Sequence, residues 1–377
     1  FSRAHRKKKS PLLRRTIEKT IDWLLREMGN PSTGFSSSLS ADSEGKEGGY
    51  YLWNSSELVR ILGKTQAGLL GSTRDEETKG DFLPSLSTTQ SFSPEVEECF
   101  AKLLHARKER KGVVSRDEKR ITAWNALLLK GLVDASIALQ RKEWLTMAVD
   151  LANWMKSKLL DQNGEISSIH YEGQDVFIPG FLDDYAFWAE ALLNLSSVSE
   201  WVLKDSSLSY IEDARNLASK VMVKFHDEKG AGYFFSSSSL ECPGPAKKKF
   251  WYDNAIPSGN SSMLRVFTTL HFLTGEKAWL DAYLQARAAY PNLTTKAPQG
   301  IGHALSAITE DEIGLGVIKS KSEEVDQLVE SLSEKAYRPI FIRPQTDSEN
   351  KLELQIGERN LPTFESTEEL LKVLYEE

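Results

Sequence analysis

The stretch Arg120 to Leu160, RITAWNALLLKGLVDASIALQRKEWLTMAVDLANWMKSKLL, decides the fold. Apolar residues recur three and four apart on both sides of Gln140-Arg141, predicting helices over about 120–138 and 142–160 that fold back across a short turn. The same periodicity extends outward to candidate helices at 94–110, 182–197, 207–226, 259–274, 276–289 and 298–309. Their connections alternate between short turns, such as Gly275-Glu276, and long loops rich in acids and aromatics. Hairpins linked in that alternation suggest a closed or nearly closed ring of paired helices, with the longer loops gathered at one mouth.

Upstream, Ser10 caps and Pro11 opens a helix whose Ile17, Ile21, Leu24, Leu25 and Met28 share a face, and Gly29 stops it. Asn54 and Glu57 have the spacing of a capping box for a short helix through Leu62. Residues 63–93 are rich in Gly, Ser, Thr and charge, and read as a loop or insertion in a helical region spanning 10–309. After Thr309 the pattern changes to a strand over Ile313–Ile318, a helix over Ser322–Lys335, strands at Pro339–Ile342 and Leu352–Ile356, and a last helix after Ser366. Residues 310–377 thus form a small βαβ-like appendix without a glycine-rich phosphate loop.

The 377 residues are 40% hydrophobic and 27% charged, a globular composition, and the net charge of −7 argues against a general nucleic-acid binder. No apolar run approaches the roughly 20 residues of a membrane span. Cys99 and Cys242 are isolated, which favours a reducing intracellular compartment, cytoplasm or organelle interior, over a disulfide framework. Residues 1–9 hold Arg3, Arg6, Lys7, Lys8 and Lys9 with no acid, and read either as a solvated tail or as the remnant of a targeting sequence.

Four blocks set carboxylates among aromatic rings: Ala41 to Trp53, Arg116 to Asn125, Phe181 to Ala186, and Trp251 to Asn260. Acids beside flat rings suit a sugar, whose hydroxyls need acceptors and whose faces stack on aromatics. They equally suit buried turns and caps. Asp42 lies in a glycine-spaced loop ahead of Tyr50, Tyr51 and Trp53. Asp183 is placed to cap its helix, leaving Asp184 to face the mouth as the preferred acid or base. Asp253 either faces substrate or locks the turn before Pro257-Ser258-Gly259. Trp53, Trp124, Asn125, Asp183, Tyr185, Trp251, Tyr252 and Asn260 are the candidate substrate contacts beside them.

In this order, the blocks resemble the YyaL family, also called the spermatogenesis-associated protein 20 family, whose members read approximately ADSEGxEGxxYxW, a DDK-type stretch before WNGL, FLEDYA, and an acid before APSGN. The resemblance covers most of residues 10–375 and implies an (α/α)6 toroid, the six-hairpin glycosidase-like architecture also found in sugar epimerases. It also implies a thioredoxin-like domain in front, of which this chain carries no trace. Ser40 stands where the family has Asp, and the helices counted fall short of twelve. His170 and His303 are the histidines to note, because epimerases of that architecture use histidine; none of the six shows metal-ligand spacing.

The expectation is therefore a mainly α, incomplete toroid with a C-terminal α/β appendix, needing no cofactor or metal. Functionally it is expected as a non-catalytic binding or scaffold module, accepting a sugar-like small molecule and a protein partner that covers the incomplete ring. The alternative is a carbohydrate-active enzyme using Asp184, Asp253 and Asp42 as paired carboxylates, a hydrolase or epimerase.

Overall fold

The computed structural model describes residues 1–74, 80–85, 93–110, 114–174, 176–203, 207–238, 247–345 and 352–376. Its helices are α1 (Ser2–Lys7), α2 (Pro11–Trp23), α3 (Ser55–Ala67), α4 (Pro94–Lys108), α5 (Thr122–Leu139), α6 (Lys142–Leu159), α7 (Leu182–Ser196), α8 (Ser207–Lys224), α9 (Gly259–Thr274), α10 (Lys277–Arg287), α11 (Pro291–Lys296), α12 (Gly302–Ile313), α13 (Val325–Ser333) and α14 (Thr367–Glu376). The chain separates into two compact units, Phe1–Phe35 with Lys119–Glu377, and Ser36–Glu118.

The larger unit is a mainly α toroid. Helix α7 is apolar nearly all round and buried along almost its whole length, as a helix walled in on every side must be. It packs between α5 and α9, and α9 packs in turn on α12, while α1 lies against α5. These five form the inner ring. Helices α6, α8 and α10 pack behind α5, α7 and α9, giving three regular hairpins. Gln140 makes the first hairpin turn at φ 55 and Gly275 the third at φ 69, left-handed conformations that end α5 and α9 sharply. Helices α5, α7, α9 and α12 start at one end, which is the mouth.

The appendix is a four-stranded sheet in the order Ile340–Pro344, Gly316–Ser320, Glu353–Ile356, Arg359–Asn360, with the first pair parallel and the others antiparallel. It lies beneath the C-terminal ends of the inner helices: Ile342 N donates to the Ser197 carbonyl at 2.8 Å. Residue Ile313, expected to start a strand, instead ends α12, and Gly314 at φ 73 turns the chain toward the sheet.

The basic start is helix α1 and not a solvated tail. Arg6 is 6% exposed and both its Nε and Nη2 donate to the Leu332 carbonyl, at 3.2 and 2.8 Å. Ser10 caps α2 through Leu13 N, 3.4 Å away.

The smaller unit holds α3 and α4 around a core of Trp53, Leu58, Leu62, Phe82, Cys99 and Leu103. Asn54 and Glu57 form the expected reciprocal capping box, at 2.9 and 3.1 Å. Within the expected loop or insertion at 63–93, residues 63–74, 80–85 and 93 are described. They contain the end of α3 and an antiparallel pair, Gly71–Arg74 with Phe82–Ser85, anchored by buried Phe82. Residues 75–79 and 86–92 of that stretch, and Cys242, lie outside the described residues.

Candidate functional site at the ring mouth and axis

At the mouth the predicted carboxylates are occupied by backbone. Asp184 is 2% exposed, and its oxygens accept from Ala123 N at 3.0 Å and Phe181 N at 2.9 Å. It sits at the third position of α7, where a carboxylate reaches back to the helix start. Asp183, expected as the cap, instead accepts from Gly259 N of α9 at 3.1 Å. The two roles are exchanged relative to the sequence reading, because the third helical position points back along the chain and the second points sideways to the neighbour. Burial, and then the Asp184 charge, push the Asp183 carboxyl up to about 7, and burial alone lifts Asp184 to about 6 against its amide donors.

Asp253 locks a turn and a neighbouring helix together. Its two oxygens accept from Ser258 N at 3.0 Å and from His303 N at 2.7 Å. Asp42 belongs to the smaller unit, is exposed, and sits in a two-residue pairing of Asp42 with Glu47. Ser40 there accepts from Asp42 N at 3.2 Å and closes the turn.

The two asparagines are structural by the same test. Asn125, 2% exposed, accepts from Phe35 N at 2.9 Å and donates to the Phe35 and Ile121 carbonyls, both at 3.0 Å. Asn260, 1% exposed, accepts from Tyr233 N at 2.8 Å and donates to the Tyr233 and Phe250 carbonyls. Each holds an aromatic preceded by a left-handed glycine, Gly34 at φ 72 and Gly232 at φ 69. A Cβ on either would stand 2.3 Å from an indole carbon, of Trp154 or Trp251 respectively. Trp251 is thus a wall of the second copy of this lock, its ring edge-on to Tyr290. Tyr185 is buried with its hydroxyl donating to Glu165 Oε2 at 3.0 Å, and Trp53 is buried under Arg110, 3.8 Å from the ring centroid. Four of these five are buried and Trp251 is half-buried, so none of them presents an exposed ring. Trp124 and Tyr252 do, at 44% and 53% exposure.

Below the mouth lies a cluster that the four blocks do not contain. Glu190 of α7, 3% exposed, accepts from Lys130 of α5, from Arg265 of α9 at 2.6 Å and faces His303 Nε2 of α12 at 3.1 Å. Arg265 also grips Glu310 two-handed, Nε to Oε2 at 2.5 Å and Nη2 to Oε1 at 2.9 Å. Arg3 of α1 bonds Asp134 of α5 at 3.0 Å and approaches Glu310 to 4.0 Å. Burial opposes the charge of Glu190, but Lys130, His303 and Arg265 hold its carboxyl well below the usual range. Burial also depresses Lys130 and His303, leaving the imidazole neutral near pH 7. Ser262 Oγ, 3.1 Å from His303 Nε2, completes its surroundings.

The sequence carried a signal for this cluster. Glu190 is the single ionisable side chain between Tyr185 and Ser199, and Arg265 the single arginine, lysine or acid of α9. A lone charge on an otherwise apolar helix is buried with a partner or absent. Among the described residues, no group of three or more His, Cys, Asp or Glu is placed to hold a metal ion, and no helix is long and apolar enough to cross a membrane.

An inner ring of parallel helices backed by antiparallel partners, with long loops at one mouth, defines the six-hairpin class of α/α toroids. No protein-family model matches the chain. By sequence the chain is similar to spermatogenesis-associated protein 20: it is 28% identical to that protein from Rattus norvegicus and 26% to that from Homo sapiens, each over 341 residues, 78% of this chain. It spans 42% of the length of those relatives. Among solved structures it is similar to a D-mannose isomerase (15% identity, TM-score 0.39, 75% of this chain and 87% of that one). It is also similar to a family 76 α-mannanase of Bacteroides thetaiotaomicron (14%, TM-score 0.39, 58% and 62%).

Proposed function

We propose that the toroid is a non-catalytic module that binds a small sugar-like molecule at its mouth. The observation that carries this reading is the occupation of the mouth carboxylates: Asp184 and Asp253 each give both oxygens to backbone N–H groups. A general acid or base has to exchange a proton with substrate, and these would first have to abandon a helix start. Binding needs less. The exposed rings of Trp124 and Tyr252, at the starts of α5 and just before α9, offer stacking faces at the same end of the ring.

A second reading has one observation in its favour. His303 is neutral, lies at the second position of α12 and is backed by Glu190, an arrangement suited to a general base. One experiment separates the two. Mono- and disaccharides are titrated calorimetrically into the protein, and the same samples are followed by proton NMR for new sugar signals. The module predicts saturable binding, weakened at least about tenfold by Trp124→Ala with an unchanged melting temperature, and no product. Turnover abolished by His303→Gln would replace it with the second reading, and failure of every sugar to bind would remove the ligand class altogether.

A further inference from the structure

At the opposite end of the ring from the mouth, the C-terminal halves of the inner helices and the appendix enclose a cavity of about 60 Å³. Three polar side-chain atoms on its wall are buried and have no hydrogen-bond partner: Arg3 Nη2, Asn194 Oδ1 and Arg338 Nε. Buried polar groups are otherwise satisfied almost everywhere in folded proteins, so three on one small cavity indicate something that bonds them. The wall also carries five cations, Arg3, Arg6, Lys130, Arg265 and Arg338, against three carboxylates, Asp134, Glu190 and Glu310. That leaves an excess of two positive charges around a small, partly open space whose remaining lining is largely apolar.

From this geometry we infer that the cavity is a binding site for a small inorganic oxyanion of the size of phosphate or sulfate. The volume corresponds to roughly four water-sized probes, close to the five heavy atoms of a tetrahedral oxyanion. The spare N–H groups of Arg3 and Arg338 are the natural donors to such a group, and a half-turn of the Asn194 amide adds its NH2 as a third. Cations near helix C-terminal ends also complement the negative helix pole. Arg338 does that with Nη1 and Nη2, which donate to the Leu374 and Ile313 carbonyls, yet its Nε reaches no carbonyl. Burial depresses Arg6, Lys130 and Arg338 from their usual values, whereas carboxylates raise Arg3 and Arg265.

The site is separate from the mouth, and its test does not depend on a sugar. Sodium phosphate and sodium sulfate are titrated into the protein at constant ionic strength set with sodium chloride, reading the melting temperature and, for phosphate, equilibrium dialysis with labelled ion. The inference expects saturable binding of about one ion per chain, and a loss of affinity of at least tenfold in Arg338→Gln. Because that substitution also removes two carbonyl contacts, Asn194→Leu is measured beside it and is expected to weaken the ion with less harm to the fold. Identical melting in phosphate and chloride, or phosphate binding unchanged in both variants, overturns it.

Discussion

Glu190→Gln tests whether the axial cluster holds the ring together. The substitution keeps the shape of the side chain and removes one negative charge from a site that is 3% exposed. Arg265 retains its two-handed bond to Glu310, so it is not stranded. Lys130 loses its carboxylate partner, and His303 loses its backing. Removing one member of a buried pair costs about 3–5 kcal/mol, because the remaining charge stays out of water. Against a total stability of about 5–15 kcal/mol, that is a large fraction. With a urea dependence of about 3 kcal/mol/M, the unfolding midpoint falls by roughly 1–1.7 M.

The pH response identifies the cause. Burial already lowers Lys130, with Glu190 the main force raising it, so the variant pushes the ammonium lower still. A lysine depressed in the folded state binds fewer protons there than in the unfolded chain. Stability therefore rises with pH between its folded value and the unfolded value near 10.4. Urea unfolding followed by circular dichroism at pH 7 and 9.5 should show the deficit of Glu190→Gln shrinking at the higher pH. Lys130→Met combined with Glu190→Gln should cost at least about 1 kcal/mol less than the two separate losses summed. A loss under about 1 kcal/mol for Glu190→Gln, with additive behaviour in the double variant, would refute the assignment.

The mouth gives an opposite pH signature. Asp183 is raised to about 7, so the folded state holds a proton that the unfolded chain releases near pH 4. Its contribution to stability therefore falls as pH rises from about 4 to 7, and the difference between the wild type and Asp183→Asn in thermal melts should grow over that window; a flat difference counts against it. Asp184→Asn should cost about 1–3 kcal/mol in urea unfolding, since the amide can accept from only one of Ala123 N and Phe181 N, and an unchanged midpoint would contradict the cap. Gly34→Ala and Gly232→Ala should each lose more than about 2 kcal/mol, from left-handed strain plus the approach of a Cβ to an indole ring, measured by the same melts. In a Cys242→Ser background, Cys99, which is 0% exposed and whose thiol is pushed up by burial, should react with a thiol reagent only as fast as its unit opens.

The helices of the ring were legible because burial imposes periodicity. The helix expected over 259–274 is α9 to the residue, and the Asn54 and Glu57 box closes as spaced. What failed was orientation. Asp183 and Asp184 are adjacent and chemically alike, and sequence carries no information on which neighbour each one meets until the ring is assembled. The same limit hid the match between Gly34-Phe35 with Asn125 and Gly232-Tyr233 with Asn260, since each pair is joined only by folding. The short α1 escaped for a different reason: its basic residues suggest solvent, and it takes Asp134, Glu310 and the Leu332 carbonyl, all distant in sequence, to bury them.

That last feature sets a schedule for the chain. Arg3 joins Asp134 of α5 and reaches Glu310 of α12, and Arg6 bonds a carbonyl 326 residues downstream. At a synthesis rate of about 5–20 residues per second, the first inner helix waits roughly 15–60 s for the last. For that interval Arg3 and Arg265 lack Glu310 of α12, and the ring is an open arc. Its closure is thus a single late event that waits on α12.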